Sequence, residues 1–106
     1  MPVIHIDYNQ TADEESVRAL ADAIHTIVSE ATGIADVPVY ARRAPIQAKT
    51  APFEIFIEMS EEKIQDLSAL VSDIKQRIAS WKSENKFAYP INFSFIPMRW
   101  KIEIGI

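Results

Sequence analysis

The sequence contains no cysteine and only two glycines in 106 residues. Without cysteine there is no disulfide framework, no thiolate metal site and no cysteine nucleophile. Two isolated glycines cannot form the glycine-rich loop that cradles phosphate groups. Acidic residues outnumber basic ones by 15 to 11, which gives a net charge of −4. A surface that follows a nucleic-acid backbone needs the opposite sign, so nucleic acid is not expected as a partner.

Long hydrophobic runs are also missing. Charged residues interrupt every apolar stretch well below the roughly 20 residues that a membrane-spanning helix needs. The first twenty residues contain no basic stretch followed by an apolar block, which a secretory signal requires. We therefore expect a cytoplasmic protein with no membrane partner. Its 48% hydrophobic and 25% charged residues are typical of a globular protein, and its length predicts a single domain over residues 1–106.

Alternating apolar residues predict four half-buried strands. They cover residues 3–8, 37–41, 53–59 and 91–95. Between them, two stretches carry apolar residues at three- and four-residue spacing, as amphipathic helices do. The first helix is expected to begin with a capping box of Thr11 and Glu14. It should end at Gly33, and the second helix should begin after Ser60.

The two halves of the chain follow the same pattern. The apolar stripe of the first helix coincides with that of the second after a shift of 50 positions, as Leu20 does with Leu70. We interpret residues 3–44 and 53–96 as two β-α-β units, although hydrophobic periodicity alone also produces such a match. The predicted class is α+β, a four-stranded sheet with two helices on one face. Two architectures remain open: a ferredoxin-like sandwich, or parallel strands within each unit with the units back to back.

The last residues predict one more strand. After a turn expected at residues 97–99, the segment WKIEIGI alternates from residue 100 to residue 106. A strand left at the edge of a sheet is a template for pairing with another chain. We therefore expect residues 100–106 to form a C-terminal strand at a subunit interface.

Few residues in the sequence point to chemistry. His5 and His25 have no partner at the spacing of metal ligands, so no metal and no cofactor are expected. Removal of Met1 would leave Pro2 as the first residue, with a secondary amine in place of an amide. An ordinary α-amino group titrates at about pH 7.7–8.0, and apolar surroundings or nearby cations lower that value. A neutral amine near pH 7 can act as a general base.

The start MPVIHIDY, the helix led by Thr11, the segment Thr32-Gly33-Ile34, the second β-α-β pattern and the ending INFSFIPMRW resemble the tautomerase superfamily. That superfamily includes oxalocrotonate tautomerases, carboxymethyl-hydroxymuconate isomerases and macrophage migration inhibitory factor. The resemblance implies a homotrimer in which the final strand pairs with a neighbouring subunit. It also implies that Pro2 is the catalytic base in keto–enol tautomerisation of a small-molecule substrate, a keto acid or enol carboxylate.

The resemblance further implies arginines that hold the substrate carboxylate, because a planar guanidinium binds carboxylate bidentately. The candidates are Arg42, Arg43 and Arg99, and Tyr40 could add a hydrogen bond. Short members of the superfamily carry an arginine in the second strand where this sequence has Pro38. Two alternatives stay open: a non-catalytic trimer of the same fold that binds a small molecule or partner, and a ferredoxin-like interaction domain in which every neighbouring strand pair is antiparallel.

Overall fold

A computed structural model describes residues 2–100 and 103–106 of the chain. The elements are β1 (Val3–Asn9), α1 (Glu14–Thr32), β2 (Val39–Ala44), β3 (Phe53–Ser60), a 3₁₀ turn (Glu61–Lys63), α2 (Leu67–Asn85) and β4 (Ile91–Met98). Among the helices of these residues, none has the length and apolar character needed to cross a membrane.

The four strands form one sheet in the order β2-β1-β3-β4. Strand β1 is parallel to β2, and β3 is parallel to β4, while β1 and β3 run antiparallel at the centre. The predicted α+β sheet of two β-α-β units is therefore confirmed, with the second of the two open architectures. The ferredoxin-like alternative is wrong, because it requires antiparallel pairing between all neighbouring strands.

The pairing of the two central strands reflects the internal repeat. Ile4 faces Ile57, which lies 51 positions after Ile6 in the sequence. Ile55, which lies 51 positions after Ile4, faces Ile6. Exchanging the two units thus maps the pairing onto itself. The units are related by a pseudo-twofold axis through the middle of the sheet.

Both helices pack on one face of the sheet. The core combines alternate strand residues with the apolar stripes of the helices: Ile4, Ile6, Phe53, Ile55, Ile57, Val17, Leu20, Ile24, Val28, Ile74 and Ile78. Full burial of one such side chain stabilises a fold by about 1.5–3 kcal/mol. The other face of the sheet, which we call the open face, carries polar and charged side chains such as His5, Asp7, Arg42 and Glu58.

The start of α1 differs from the prediction, whereas its end agrees. The carboxylate of Asp13 caps the helix by accepting a hydrogen bond from the Ser16 N–H at 2.9 Å. Thr11 instead donates its hydroxyl to the side-chain oxygen of Asn9 at 2.6 Å. The predicted capping box is therefore wrong, because this local turn engages Thr11. At the other end, Gly33 closes α1 with φ 73°, the left-handed conformation that suits glycine.

Helix α2 begins later than predicted. Ser60 makes no capping hydrogen bond with its side chain, and only one 3₁₀ turn follows it. The chain then extends through Ile64, and Asp66 caps α2 by accepting a hydrogen bond from the Ala69 N–H at 3.1 Å. This extra segment carries the chain from the end of β3 to the helix layer. It also brings Lys63 to that end of the sheet.

Strand β4 is longer than predicted and includes Pro97 and Met98. Proline is tolerated there because β4 is an edge strand, where a backbone N–H can be missing without loss of a sheet hydrogen bond. The turn expected at residues 97–99 is thus wrong for its first two residues. Residues 103–106 have no regular secondary structure in the single chain, and Lys101 and Ile102 lie outside the described residues. The strand at 100–106, expected against a neighbouring subunit, stays a prediction.

Candidate functional site

Pro2 lies immediately before β1 and is buried, with less than 2% of its side chain exposed. By strand alternation it shares the helix-covered side of the sheet with Ile4. Continuing the register of β1 against β3 by one residue places Met59 beside Pro2, and Met59 is 1% exposed. Such apolar surroundings would favour the neutral form of an amine. In the full sequence Met1 precedes Pro2, so the nitrogen becomes an amine only when Met1 is removed.

The segment before β2 lies beside the start of β1. The backbone N–H of Ile4 donates to the carbonyl of Pro38 at 3.0 Å. His25 on α1 holds the same segment, because its Nδ1 lies 2.8 Å from the carbonyl oxygen of Val37. A carbonyl only accepts, so Nδ1 carries the proton. His25 therefore has a structural role next to Pro2.

Arg42 and Arg43 lie at the opposite end of β1 from Pro2. They face Asp7 and Tyr8 in the parallel register. These positions are about 16–20 Å from Pro2 at the usual strand rise of 3.3 Å per residue. Arg42 pairs with Asp7 at 3.4 Å, and the Arg43 guanidinium lies 5.4 Å from the centre of the Tyr8 ring. Within one chain, the structure does not bring these two arginines to Pro2.

Tyr40 is on the open face, on the other side of the sheet from Pro2. Its ring stacks on His5 with the ring centroids 5.5 Å apart. The Nε2 atom of His5 lies 3.4 Å from Oε1 of Glu58. Tyr40 is therefore part of a polar cluster with His5 and Glu58, and it does not meet Pro2 within one chain.

Among the three candidate arginines, Arg99 lies at the Pro2 end of the sheet. It follows β4, which runs parallel to β3 and ends where β1 begins. Arg99 donates a hydrogen bond to the carboxylate of Glu61, and this bond raises the pKa of the guanidinium. The pair borders a cleft of about 550 Å³, whose other lining residues are Ser60, Glu62, Met98 and Trp100. With 88% of its side chain exposed, Arg99 can change partner easily.

A second cleft, which we call the inter-helix cleft, lies between the end of α1 and the start of α2. It has a volume of about 530 Å³ and is lined by Ala31, Thr32, Met59, Lys63, Ile64, Gln65, Asp66, Ala69, Leu70 and Asp73. Met59 connects this cleft to the surroundings of Pro2. The sequence analysis missed Lys63, because it assigned that residue to a regular helix. No group of three His, Asp or Glu residues within 2–100 and 103–106 is arranged to hold a metal ion.

Sequence comparison adds one family match. The model of the tautomerase family, described as tautomerase enzyme, matches residues 2–40, which span Pro2, β1, α1 and the start of β2. No curated protein matches the sequence. The family match therefore covers most of the first β-α-β unit and begins at Pro2.

Solved structures share the fold of the whole chain. MIF2 of Leishmania major is 16% identical with a TM-score of 0.71, and the match covers 99% of this chain and 95% of that one. Malonate semialdehyde decarboxylase is 10% identical with a TM-score of 0.70, covering 98% and 92%. A fused 4-OT symmetric trimer is 14% identical with a TM-score of 0.63, covering 98% and 94%. At these identities the likeness concerns the fold.

The chain has the fold of the tautomerase and macrophage migration inhibitory factor proteins, which consists of two β-α-β units. The match to the tautomerase family model over residues 2–40 lies within the first β-α-β unit of this fold, together with Pro2. The resemblance seen in the sequence is thereby confirmed.

Proposed function

We propose that the protein is a tautomerase-type isomerase in which Pro2, freed by removal of Met1, is the general base. The observation that carries the proposal is the buried position of Pro2 at the head of β1, where the tautomerase match begins. Apolar surroundings lower the pKa of an amine, so part of it is neutral near pH 7. The neutral amine takes the proton from the carbon next to a carbonyl, and the protonated amine returns it to the oxygen or to another carbon of the resulting enolate.

A related fold supports a role for an amino-terminal proline. The solved structures of malonate semialdehyde decarboxylase include a variant in which its first residue, a proline, is replaced by alanine. That protein is described with decarboxylase and hydratase activities. For this chain we propose tautomerisation of a small keto acid or enol carboxylate, with an arginine as carboxylate ligand. For this role we propose Arg99, which follows β4 at the end of the sheet where β1 begins.

The proposal includes a homotrimer, because the similar fused 4-OT structures are described as trimers. Residues 100–106 would pair with a neighbouring subunit. Ile104 and Ile106 are then covered, whereas they are 89% and 107% exposed in the single chain. In a trimer, Arg42, Arg43 and Tyr40 could act only on the Pro2 of another subunit. The expected cytoplasmic location belongs to the same proposal.

The test compares two prolines in equivalent places. Pro2 precedes β1 as Pro52 precedes β3. The protein is first shown by intact mass to lack Met1, and the ketonisation of phenylenolpyruvate is then followed by absorbance. Pro2→Ala is expected to lower kcat/KM at least about a hundredfold, the usual contribution of a general base. Pro52→Ala is expected to keep the activity, and equal activities of the two variants would overturn the proposal.

A second candidate is a non-catalytic trimer that binds a small carboxylate. It is favoured by the contacts of Arg42 and Arg43 with Asp7 and Tyr8, far from Pro2 in the same chain. Carboxylate binding by Met1-free protein without turnover of any enolisable substrate would support it. Turnover that depends on Pro2 would exclude it.

A further inference from the structure

The start of β1 is held by a neighbour on each side. On one side it pairs with β3, where Val3 faces Glu58 in the antiparallel register. On the other side the backbone N–H of Ile4 donates to the carbonyl of Pro38 at 3.0 Å. Ile4 is only two residues after Pro2 in the chain. The position of the Pro38 carbonyl therefore affects where Pro2 lies.

The segment that carries this carbonyl is attached to α1. Strand β2 begins at Val39, so Val37 and Pro38 lie before the regular strand. Val37 is 3% exposed, and its carbonyl oxygen lies 2.8 Å from Nδ1 of His25 on α1. Two hydrogen bonds thus connect α1 to the start of β1, one from His25 to Val37 and one from Ile4 to Pro38.

The backbone between these two bonds is stiff. The peptide bond between Val37 and Pro38 is planar, and the proline ring fixes φ of Pro38 at about −65°. Only the ψ angle of Pro38 is then free between the carbonyl that His25 holds and the carbonyl that holds Ile4. A displacement of the first carbonyl is therefore passed on to the second.

The second unit has a comparable bond with a more flexible donor. Lys82 on α2 donates from Nζ to the carbonyl of Tyr89 at 2.8 Å. Tyr89 precedes β4 by two residues, as Val37 precedes β2. A lysine side chain loses more rotamer freedom than an imidazole when it is held in one place, so its bond fixes a segment less firmly. The stiffer donor, His25, belongs to the unit that begins with Pro2.

We infer that His25 is a positioning residue, which fixes the start of β1 and with it Pro2 by holding the carbonyl of Val37. The inference rests on the proposed function only where this positioning is measured as catalysis. Nδ1 carries a proton in the charged ring as well as in this neutral tautomer, so the role needs a donor and no positive charge. Because His25 is exposed, its replacement removes the bond without opening a cavity in the core.

The first test measures hydrogen exchange of the Ile4 N–H by NMR on Met1-free protein. His25→Leu is expected to accelerate this exchange about tenfold, because the start of β1 opens locally more often. His25→Asn should restore slow exchange, since its amide nitrogen is attached to the same carbon as Nδ1 in histidine. Lys82→Met removes the comparable bond of the second unit, so it is the matched control and should leave the Ile4 exchange unchanged.

The second test measures ketonisation of phenylenolpyruvate by the same variants. His25→Leu is expected to lower kcat about tenfold, because the rate depends steeply on the position of a reacting group. Its KM should stay the same, because His25 acts through Pro2 and does not touch the substrate. His25→Asn should recover most of the kcat, and Lys82→Met should keep all of it.

The outcomes separate this inference from the proposed function. Equal Ile4 exchange in His25→Leu and the original protein would overturn the inference, and so would a kcat that His25→Asn does not recover. If His25→Leu does not fold, His25→Gln takes its place, because it moves the amide one carbon further from the backbone. Equal results for the Gln and Asn variants would then overturn the inference. Turnover that survives Pro2→Ala would overturn the base, and the Ile4 exchange would still decide the role of His25.

Discussion

The first β-α-β unit begins next to the chain terminus, and the second begins after a loop. Pro2 precedes β1, and Pro52 precedes β3. The carbonyl of Pro52 accepts a hydrogen bond from the N–H of Asn9 at 2.8 Å, and its nitrogen is permanently an amide. The second unit has a strand, a helix and a preceding proline like the first, but its proline lies inside the chain and cannot become a free amine. The proposed chemistry is therefore confined to the first unit, as is the tautomerase match.

The two outer strands, β2 and β4, also differ on the open face. Arg42 of β2 faces Asp7 and pairs with it at 3.4 Å. Its counterpart on β4 is Ile96, which faces Glu58. The core positions are apolar in both units, whereas these positions on the open face differ in charge. The two units thus share their apolar core pattern, whereas the side chains on the open face differ between them.

The largest expected effect comes from blocking the nitrogen of Pro2, for which the second unit has no terminal counterpart. A form of the protein that keeps an extra residue before Pro2 should lose at least about a hundredfold in kcat/KM, because an amide nitrogen cannot act as a base. Intact mass identifies the blocked form, and the phenylenolpyruvate assay measures its rate. Its oligomeric state should match that of the Met1-free protein. A fully active blocked form would contradict the role of Pro2.

A smaller expected effect tests whether the two units contribute equally to the stability of the fold. Ile4 and Ile55 are counterparts and are both fully buried. Replacing either by Ala should lower the free energy of unfolding by about 2–5 kcal/mol, through lost burial and an unfilled cavity. Urea unfolding measures both variants. The two losses should agree closely, and a clear difference would show that the core is not symmetric.

Much of this frame could be predicted from hydrophobic periodicity. The alternation at Ile4 and Ile6 and the stripe through Leu20 and Ile24 report burial directly, because side-chain direction repeats every two residues in a strand and about every 3.6 in a helix. The helix start was not predictable in the same way. Asn9 engages Thr11, and this competition between neighbouring polar groups leaves no periodic signal.

The candidate site could be predicted only in part. Pro2 could be found from the sequence because removal of Met1 would turn the nitrogen of the second residue into a secondary amine. The location of Arg42 depends on the register between β1 and β2, which is set by a crossover through α1 and cannot be read from local pattern. Lys63 was missed because the 3₁₀ turn and the late start of α2 interrupt the expected helix. Long-range register and irregular connections are thus what periodicity fails to report.

The smallest expected effect is a pH dependence of stability at the start of α1, where Asp13 caps the helix. Hydrogen bonds from the backbone N–H of Ser16, from its hydroxyl and from the hydroxyl of Tyr89 lower the pKa of Asp13 from its ordinary value of 3.8. A carboxyl whose pKa is lower in the folded state stabilises the fold above its unfolded pKa. That contribution is lost as pH falls through the folded pKa. Asp13→Asn keeps a capping side chain but removes the charge.

We therefore expect the original protein to be slightly more stable than Asp13→Asn at pH 5, with the difference shrinking as the pH falls below the ordinary Asp pKa of 3.8 and through the lowered pKa of the folded state. The effect is small because Asp13 is fully exposed and screened by solvent. Melting temperature against pH measures it. Tyr89→Phe removes one of the hydrogen bonds that lower the pKa of Asp13. In this variant the fall in melting temperature should therefore occur at a higher pH than in the original protein. A pH dependence identical in all three proteins would show that the contact between Tyr89 and Asp13 does not stabilise this end of the layer.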